Sequence, residues 1–404
     1  MSEENKIPKH WQVKKLGEVC DVLDNLRKPI NSTERQQRIS GKSKDELFPY
    51  YGATGQVGWI DTYITKGEFI LIGEDGAPFL DIYKDKAYKI KGKTWVNNHA
   101  HILKGKVKII FDDFALYYLN SINYREFVNG TTRLKLTKSN LVDIPFVVPP
   151  LPEQQAIVCK IEELFSDLDN GKQQLQIAQQ QLKIYRQSLL KWAFEGKLTN
   201  KDMKDGELPK GWKIVKIGDL CKCIVPNRDK PKSFSGDIKW VTTPNLIPNS
   251  IRLDYKSISL GLSEAEVKEY NARVIPVGSV IMTCVGTFGL SAVVEKPIVI
   301  NQQLHAFISN ELVNSKYLAY CIQYNKNFFE KKSTSTTIQY LNKENCNSMT
   351  LPFCSIIEQQ LIVGELESKL TVCDKIEETI TQSLQQTESL RQSILKKAFE
   401  GKLI

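Results

Sequence analysis

Arg186-Gln187-Ser188-Leu189-Leu190-Lys191-Trp192-Ala193-Phe194-Glu195-Gly196-Lys197-Leu198 returns at Arg391 to Leu403 as Arg-Gln-Ser-Ile-Leu-Lys-Lys-Ala-Phe-Glu-Gly-Lys-Leu, with eleven of thirteen positions identical. At the same spacing of 205, Glu153-Gln154-Gln155 matches Glu358-Gln359-Gln360, so two segments of more than forty residues align without a gap. A repeat of this period governs everything else, because one copy cannot bury its apolar face without a partner.

Apolar residues of the first copy, Ile157, Ile161, Leu164, Leu168, Leu175, Ala178, Leu182, Tyr185 and Leu189, follow steps of four and three. That is the 3.5-residue seam of a coiled coil. The second copy offers Ile362, Leu366, Ile376, Ile380, Leu390 and Ile394 for the same purpose. Only Gly171 interrupts the first pattern, and Ile376 stands at the matching position of the second, so the first helix is expected to run through. Pro152 suits a first helical turn, Ser355 and Glu358 have capping-box spacing, and Gly196 and Gly401 stand where a helix wants a left-handed terminal residue. At 1.5 Å per residue each helix is about 65 Å long, and the partner expected for each seam is the other copy, running antiparallel.

The duplication extends beyond the helices. Pro8-Lys9-His10-Trp11 with Lys15-Leu16-Gly17-Glu18-Val19-Cys20 is matched by Pro209-Lys210-Gly211-Trp212 with Lys216-Ile217-Gly218-Asp219-Leu220-Cys221, at a spacing of 201. The chain therefore divides into a globular domain over 1–150, a long helix over 151–198, a polar linker over 199–208, a second globular domain over 209–354 and a second long helix over 355–404. Both globular parts read as α+β. Strands are expected at 69–72, running into a Gly73-Glu74-Asp75-Gly76 hairpin turn, at 106–110, within 274–282 and at 292–294; helices are expected at 114–127 and 316–329.

With 404 residues there is ample chain for two cores. Fifty-five basic against 46 acidic residues give a net charge of +9, a moderate excess that suits a polyanionic partner. The nine cysteines lack the paired spacing of a zinc site or a disulfide framework, which fits reduced thiols in a cytoplasmic protein. No apolar run approaches the roughly 18 residues of a membrane span, and the polar N-terminus does not resemble an export signal.

No catalytic set stands out. Gly41-Lys42-Ser43 and Gly92-Lys93-Thr94 lack the first glycine of a phosphate-binding loop, and no Asn/Asp-Pro-Pro-aromatic stretch of an amino-methyltransferase occurs. His99 and His101 would share a strand face, without an acid or cysteine nearby in sequence to complete a metal site, so no metal is expected.

Polar clusters with basic and aromatic neighbours say more. In the first domain these are Arg27 and Lys28; Tyr50, Tyr51, Thr54 and Gln56; Asn97, Asn98 and His99; and Thr131, Thr132, Arg133 and Lys135. The second domain repeats the theme with Arg228, Lys230 and Lys232; Thr242, Thr243 and Asn245; Asn301, Gln302 and Gln303; and Thr336, Thr337, Gln339 and Tyr340. Amides, hydroxyls and guanidinium groups read base edges, and lysine and arginine clamp phosphates. Singly each residue also fits a solvated loop; their recurrence at related places in both copies marks them as a set.

Taken together, Pro150-Leu151-Pro152-Glu153-Gln154-Gln155, the long helix and the Lys397-Ala398-Phe399-Glu400-Gly401-Lys402-Leu403 ending resemble the specificity subunit of type I restriction-modification systems. Tyr50-Tyr51-Gly52-Ala53-Thr54-Gly55 and Leu71-Ile72-Gly73-Glu74-Asp75-Gly76 are similar to one common class of its target recognition domains. The resemblance covers essentially the whole chain, with Ser355-Ile356-Ile357 departing from Pro-Leu-Pro at the second helix start. It implies two target recognition domains separated by two long antiparallel coiled-coil helices, each domain binding half of a split, asymmetric site in double-stranded DNA. It implies that the helices dock two modification subunits, and that restriction subunits complete the complex. No cofactor belongs to this chain on that reading: S-adenosylmethionine, ATP and Mg are expected on the partners, and the chain has no active site. Two rivals are a coiled-coil DNA-binding adaptor or regulator without restriction partners, and a self-sufficient DNA nuclease or methyltransferase.

Overall fold

A computed structural model describes residues 7–200, 202–204, 206–227, 230–333 and 339–404. The chain forms two compact units, Met1–Ile177 with Ile380–Ile404, and Ala178–Thr379. The division cuts both long helices, Leu151–Phe194 and Ile356–Phe399, so each unit holds one globular domain, one half of the first helix and one half of the second.

Unit 1 contributes strands β1 (Gln12–Lys15), β2 (Cys20–Val22), β3 (Phe48–Gly52), β4 (Gly55–Ile60), β5 (Thr65–Gly73), β6 (Ala87–Val96), β7 (Ala100–Gly105) and β8 (Pro145–Val148). β1 and β8 pair by themselves; the others form a six-stranded sheet in the order β2-β7-β5-β6-β3-β4, with β3 and β6 parallel. Unit 2 repeats the plan with β9 (Lys213–Lys216), β10 (Cys221–Ile224), β11 (Ile238–Val241), β12 (Gly261–Leu262), β13 (Val274–Ile275), β14 (Val280–Thr283), β15 (Ser291–Val293), β16 (Ile298–Ile300), β17 (Leu304–Ser309) and β18 (Thr350–Phe353). Here β9 pairs with β18, and the large sheet is split into β10-β17-β14-β15 and β12-β11-β16-β13. The split has a local cause. The ten residues of β6 serve both halves of the unit 1 sheet, whereas Pro297, which has no N–H to give a ladder, lies between β15 and β16.

Several expectations from sequence need correction. Residues 107–109 form a turn in which Lys108 has φ 66°, and the strand predicted there ends at Gly105. Gly73-Glu74-Asp75-Gly76 closes no hairpin; β5 and β6 are antiparallel partners joined by an excursion through residues 74–86. The predicted helices at 114–127 and 316–329 are realised as Asp112–Ser121 with a short 3-10 turn, and as Ser315–Tyr324 followed by Lys326–Lys332.

Gly171 lies inside the first long helix with open space where a Cβ would be. Within unit 1 the helix halves run antiparallel: Asp169 meets Arg391 at 3.1 Å and Lys172 meets Glu388 at 2.6 Å, so rising numbers on one helix face falling numbers on the other. Within unit 2, Arg186 reaches Asp374 at 2.6 Å and Glu377 at 3.0 Å. Ile157, Ile161, Leu182, Leu189, Ile362, Leu366 and Ile380 are buried, and Leu164, Leu168, Leu175 and Ile394 are half-buried. Ile376 and Leu390 leave the predicted seam, at 44% and 51% exposure. Their neighbours Glu377 and Arg391 turn inward to the ion pairs instead, so this stretch of the seam is closed by charge.

The repeated motifs earn their place in the packing. Gln154 and Gln359 are fully buried. The Gln154 amide accepts from Phe111 N and donates to Ile109 O and Pro149 O; that of Gln359 accepts from Asn314 N and donates to Leu312 O and Cys354 O. Each glutamine thus ties the start of a long helix to two loops of its own globular domain. At the other helix end, Gly196 at φ 76° lies against Pro209 and Trp212 in unit 2, and Gly401 at φ 68° against Pro8 and Trp11 in unit 1. A Cβ would meet a proline ring at 2.2 Å or 2.3 Å, so both backbone angle and space select glycine.

Candidate nucleic-acid interface

In unit 1 four segments meet at one end of the large sheet: the β3–β4 turn, the segment after β5, the β6–β7 turn and residues 129–136. Backbone bonds lock them together. Asn97 N donates to Tyr51 O at 3.1 Å, Glu74 N to His99 O at 2.8 Å, and Leu136 N to Glu74 O at 2.7 Å. Asp75 bridges Lys135, and the Asn97 carboxamide accepts from His99 N at 2.8 Å.

Beneath these loops lies a knot of charge. Arg27 donates to Glu74, lies 3.3 Å from Asp24, and also donates to the carbonyls of Asn98 at 3.3 Å and Ala100 at 3.2 Å. His101, fully buried, places Nδ1 2.8 Å from Asp24 and Nε2 2.9 Å from Leu136 O. Lys135 completes the set at 2.9 Å from Glu74. Burial pushes the Glu74 carboxyl upward, but Lys135 and Arg27 outweigh it and hold the group below its ordinary value. Asp24 is held down in the same way, with His101 and Arg27 outweighing burial.

Unit 2 reproduces the backbone frame bond for bond. Asn301 N donates to Val241 O, Cys284 N to Gln303 O, and Leu341 N to Cys284 O; Gln303 N donates to the Asn301 carboxamide; Val285 bridges Tyr340. Cys284 therefore stands where unit 1 has Glu74, Val285 where it has Asp75, Gln303 where it has His99, and His305 where it has His101. On this frame Gln303 Oε1 accepts from Thr243 Oγ1 and Asn301 Nδ2, both at 3.2 Å, Asn245 Oδ1 accepts from Thr242 Oγ1 at 3.0 Å, and Gln302 donates to Asn227 O at 3.3 Å.

The structure distributes the predicted residues unevenly. Thr54, Gln56, Asn98, Thr131, Thr132, Arg133 and Lys135 are exposed on the convergent loops of unit 1, with His99 half-buried among them; Lys28 is exposed on a neighbouring loop. Tyr50 is 5% exposed, packed with Ile60 and Trp95 under the Arg35 guanidinium, and Tyr51 packs on Tyr88; both support the turn rather than project from it. Asn97 is buried and braces its own turn, and Arg27 is consumed by the carboxylates, so it positions the β6–β7 turn instead of offering a free phosphate clamp. In unit 2, Lys230, Lys232, Gln302, Gln303, Gln339 and Tyr340 are exposed and Thr242, Thr243, Asn245 and Asn301 half-buried. Arg228, Thr336 and Thr337 lie outside the described residues. His99 and His101 do not share a face: His99 sits in the turn with Nδ1 2.8 Å from Asp75, and His101 points inward. Among the described residues no group of three or more His, Cys, Asp or Glu side chains is placed to hold a metal ion.

Two loop clusters on one repeated backbone frame, each rich in amides and hydroxyls, accompany a sequence match that decides the family. The profile of the type I restriction modification DNA specificity domain matches twice, at residues 8–179 and 209–386. The chain belongs to this family. As a specificity subunit it is the DNA sequence-recognition component of a multisubunit system and not its catalytic one. It is 29% identical over 93% of its length, and 91% of the relative's, to a Haemophilus influenzae chain provisionally named a type I restriction enzyme specificity subunit. It is 27% identical over 71% of its length to the EcoBI specificity subunit of Escherichia coli, of which it covers 64%. Solved structures share the fold of this specificity subunit at 18% identity. The HsdS subunit of Thermoanaerobacter tengcongensis gives a TM-score of 0.62 with 99% of both chains covered, and a chain from a study of type I complex assembly gives 0.73 with 98% of this chain and 99% of that one.

Sequence reasoning missed Asp24, Glu74 and His101 as the support beneath the unit 1 loop cluster of this specificity subunit. Their partners are up to 78 residues apart in the chain, and no spacing rule joins them. Gln154 and Gln359 were visible as repeated letters, yet their work, bonding loops more than forty residues away, was not. No helix of the described residues is long and apolar enough to cross a membrane.

Proposed function

We propose that the two loop clusters are the DNA-reading faces of this specificity subunit, one per unit, and that each reads one half of a split, asymmetric site. The observation that carries this is the conserved frame with exchanged contents: the same backbone bonds hold Glu74, Asp75 and His99 in unit 1 and Cys284, Val285 and Gln303 in unit 2. Two readers that keep their scaffold and change their side chains suit different base sequences. The 205-residue helix repeat supports the rest of the reading. Two similar units give one asymmetric chain two equivalent docking surfaces for two copies of a modification subunit, and stiff helices fix the distance between half-sites as dimer geometry does in other DNA readers. Those subunits carry S-adenosylmethionine and methylate adenine, and ATP- and Mg-dependent restriction subunits complete the nuclease. The target recognition domains on this reading are residues 1–150 and 209–354, and the protein acts in the cytoplasm.

The test is methylome sequencing of a host carrying the full system, with the native chain and with residues 205–350 exchanged for those of another specificity subunit. A motif of two separated halves is expected, and the exchange changes one half only. A contiguous motif, or a change in both halves, overturns the reading.

A further inference from the structure

Asp75 Oδ1 accepts from Arg133 Nη2 at 2.8 Å and lies 2.8 Å from His99 Nδ1. The three side chains sit on three of the converging loops, at 61% exposure for Arg133, 40% for His99 and 20% for Asp75. An exposed loop arginine ordinarily samples many rotamers; this one is held by a carboxylate whose own backbone is fixed by the Asp75–Lys135 bridge and by the Glu74 bonds on either side. Gly76, at φ 71°, turns the chain away directly beneath the guanidinium, where a Cβ would lie 3.7 Å from Nε.

The brace takes one donor of the guanidinium and leaves Nη1 and the second Nη2 hydrogen without a partner among the described residues. A planar pair of donors held at a fixed tilt matches two adjacent acceptors, which in the major groove are guanine O6 and N7; adenine presents a donor beside its N7 and does not fit. A phosphate is the poorer match, because an attached carboxylate cancels part of the charge that a phosphate contact needs while supplying an orientation that it does not need. His99 acts as a positioning residue, since Nδ1–H donation to Asp75 fixes both the ring and the carboxylate.

We propose that Arg133, braced by Asp75 and His99, reads one guanine in the half-site recognised by unit 1. This rests on the split-site reading above and adds the base identity. Unit 2 has Val285 and Gln303 where unit 1 has Asp75 and His99, so the device belongs to one half-site only.

The experiment is methylome sequencing of the assembled system with the native chain, R133A, R133K and D75N, the domain exchange having assigned one half-site to unit 1. The native half-site contains a G·C pair at which R133A and R133K become degenerate, preference for that pair falling about 5- to 150-fold. The other letters, and the whole unit 2 half, stay as they were, which also shows that the variants fold and assemble. D75N relaxes the same position to a smaller degree. Slower methylation of all sites alike with an unchanged motif, together with a shallower salt dependence, makes Arg133 a phosphate contact and overturns the proposal. So does a unit 1 half-site without a G·C pair, or a motif that R133K leaves intact. An effect of R133A without one of D75N overturns the brace. A motif without two separated halves defeats the split-site reading instead.

Discussion

His101 and His305 hold the same position in the two units, buried on β7 and β17 just after the β6–β7 turn and its unit 2 counterpart, and their burial is managed in opposite ways. Both nitrogens of His101 face acceptors, Asp24 and Leu136 O, and the acids around it are balanced by Arg27 and Lys135. Among the described residues His305 has only the Cys346 thiol, 3.3 Å from Nδ1, and its Nε2 has no partner. Cys284 replaces Glu74 above it, and burial pushes that thiol up to about 12 and Cys223 up to about 11, so both stay neutral. One backbone frame therefore tolerates either an ionised or a neutral interior. The difference is in what fixes the loops: charge-assisted bonds, some to backbone carbonyls, in unit 1, and neutral amide and hydroxyl bonds over an under-satisfied imidazole in unit 2.

The hardest way to break this comparison is to unbalance the charged knot. Arg27→Met leaves Glu74 and Asp24 without their shared cation, and removing one partner of a buried ion pair costs about 3–5 kcal/mol. Denaturant unfolding read by hydrogen exchange in β5, β6 and β7 should show that loss in unit 1 alone. The counterpart, His305→Leu, removes a group with one weak bond and one orphaned nitrogen, and is expected to change unit 2 by less than about 1.5 kcal/mol at neutral pH. Equal losses in both units would show that the two interiors are not different in kind.

Acid sharpens the contrast. Burial, with Lys343 adding to it, lowers the His305 pKa from 6.5 to about 4. Below the unfolded value the unfolded chain takes up a proton that the buried ring refuses, so unit 2 loses stability as pH falls from 6.5 towards 4, by about 3 kcal/mol in all, and the term is absent above that window. Asp24 and Glu74 also lose their contribution as pH falls, but in the lower, carboxylate window. Their folded pKa values are depressed, so their contribution is present above the ordinary carboxylate range and is lost only as pH falls through the folded values. At pH 5 the protection of β14 and β17, taken relative to the intrinsic exchange rate at the same pH, should fall, and His305→Leu should remove that change. Protection in unit 2 that is the same at pH 7.5 and at pH 5 would contradict the assigned burial.

The architecture was legible because the helix repeat has no gap and the seam residues recur at heptad spacing, so local pattern and tertiary packing agree at Ile161, Leu189, Leu366 and Ile380. The equivalence of the two loop clusters was legible by recurrence, through Asn97 against Asn301. Their roles were not, because a side chain's letter is the same whether it projects or supports: Tyr50 and Asn97 turn inward, and Arg27 is consumed beneath the surface. The hairpin misreading of Glu74-Asp75-Gly76 has the same origin. Gly76 does take the left-handed backbone that the Asp-Gly pair suggested, but the chain makes no hairpin turn there, and the acids' partners, Arg27, Arg133 and Lys135, come from remote segments that a local rule does not see.

The smallest expected effect tests two of the places where periodicity misjudged the seam; Tyr185, at 42% exposure, is a third. Lys172 in unit 1 and Glu377 in unit 2 are repeat-equivalent, oppositely charged, and engaged across the helix pair, Lys172 with Glu388 and Glu377 with Arg186. A seam closed by such pairs leaves the flanking apolar residues outside it, which is why Ile376 and Leu390 face solvent although their spacing fits the heptad. Ile376→Lys and Leu390→Lys are therefore expected to shift stability by no more than about 0.5 kcal/mol, as surface changes do. Leu366→Ala, at 1% exposure, should cost about 2–5 kcal/mol. If lysine at 376 or 390 unfolds its unit as alanine at 366 does, the helices pair through their apolar letters after all, and the inward turn of Glu377 and Arg391 is not how the pair is held.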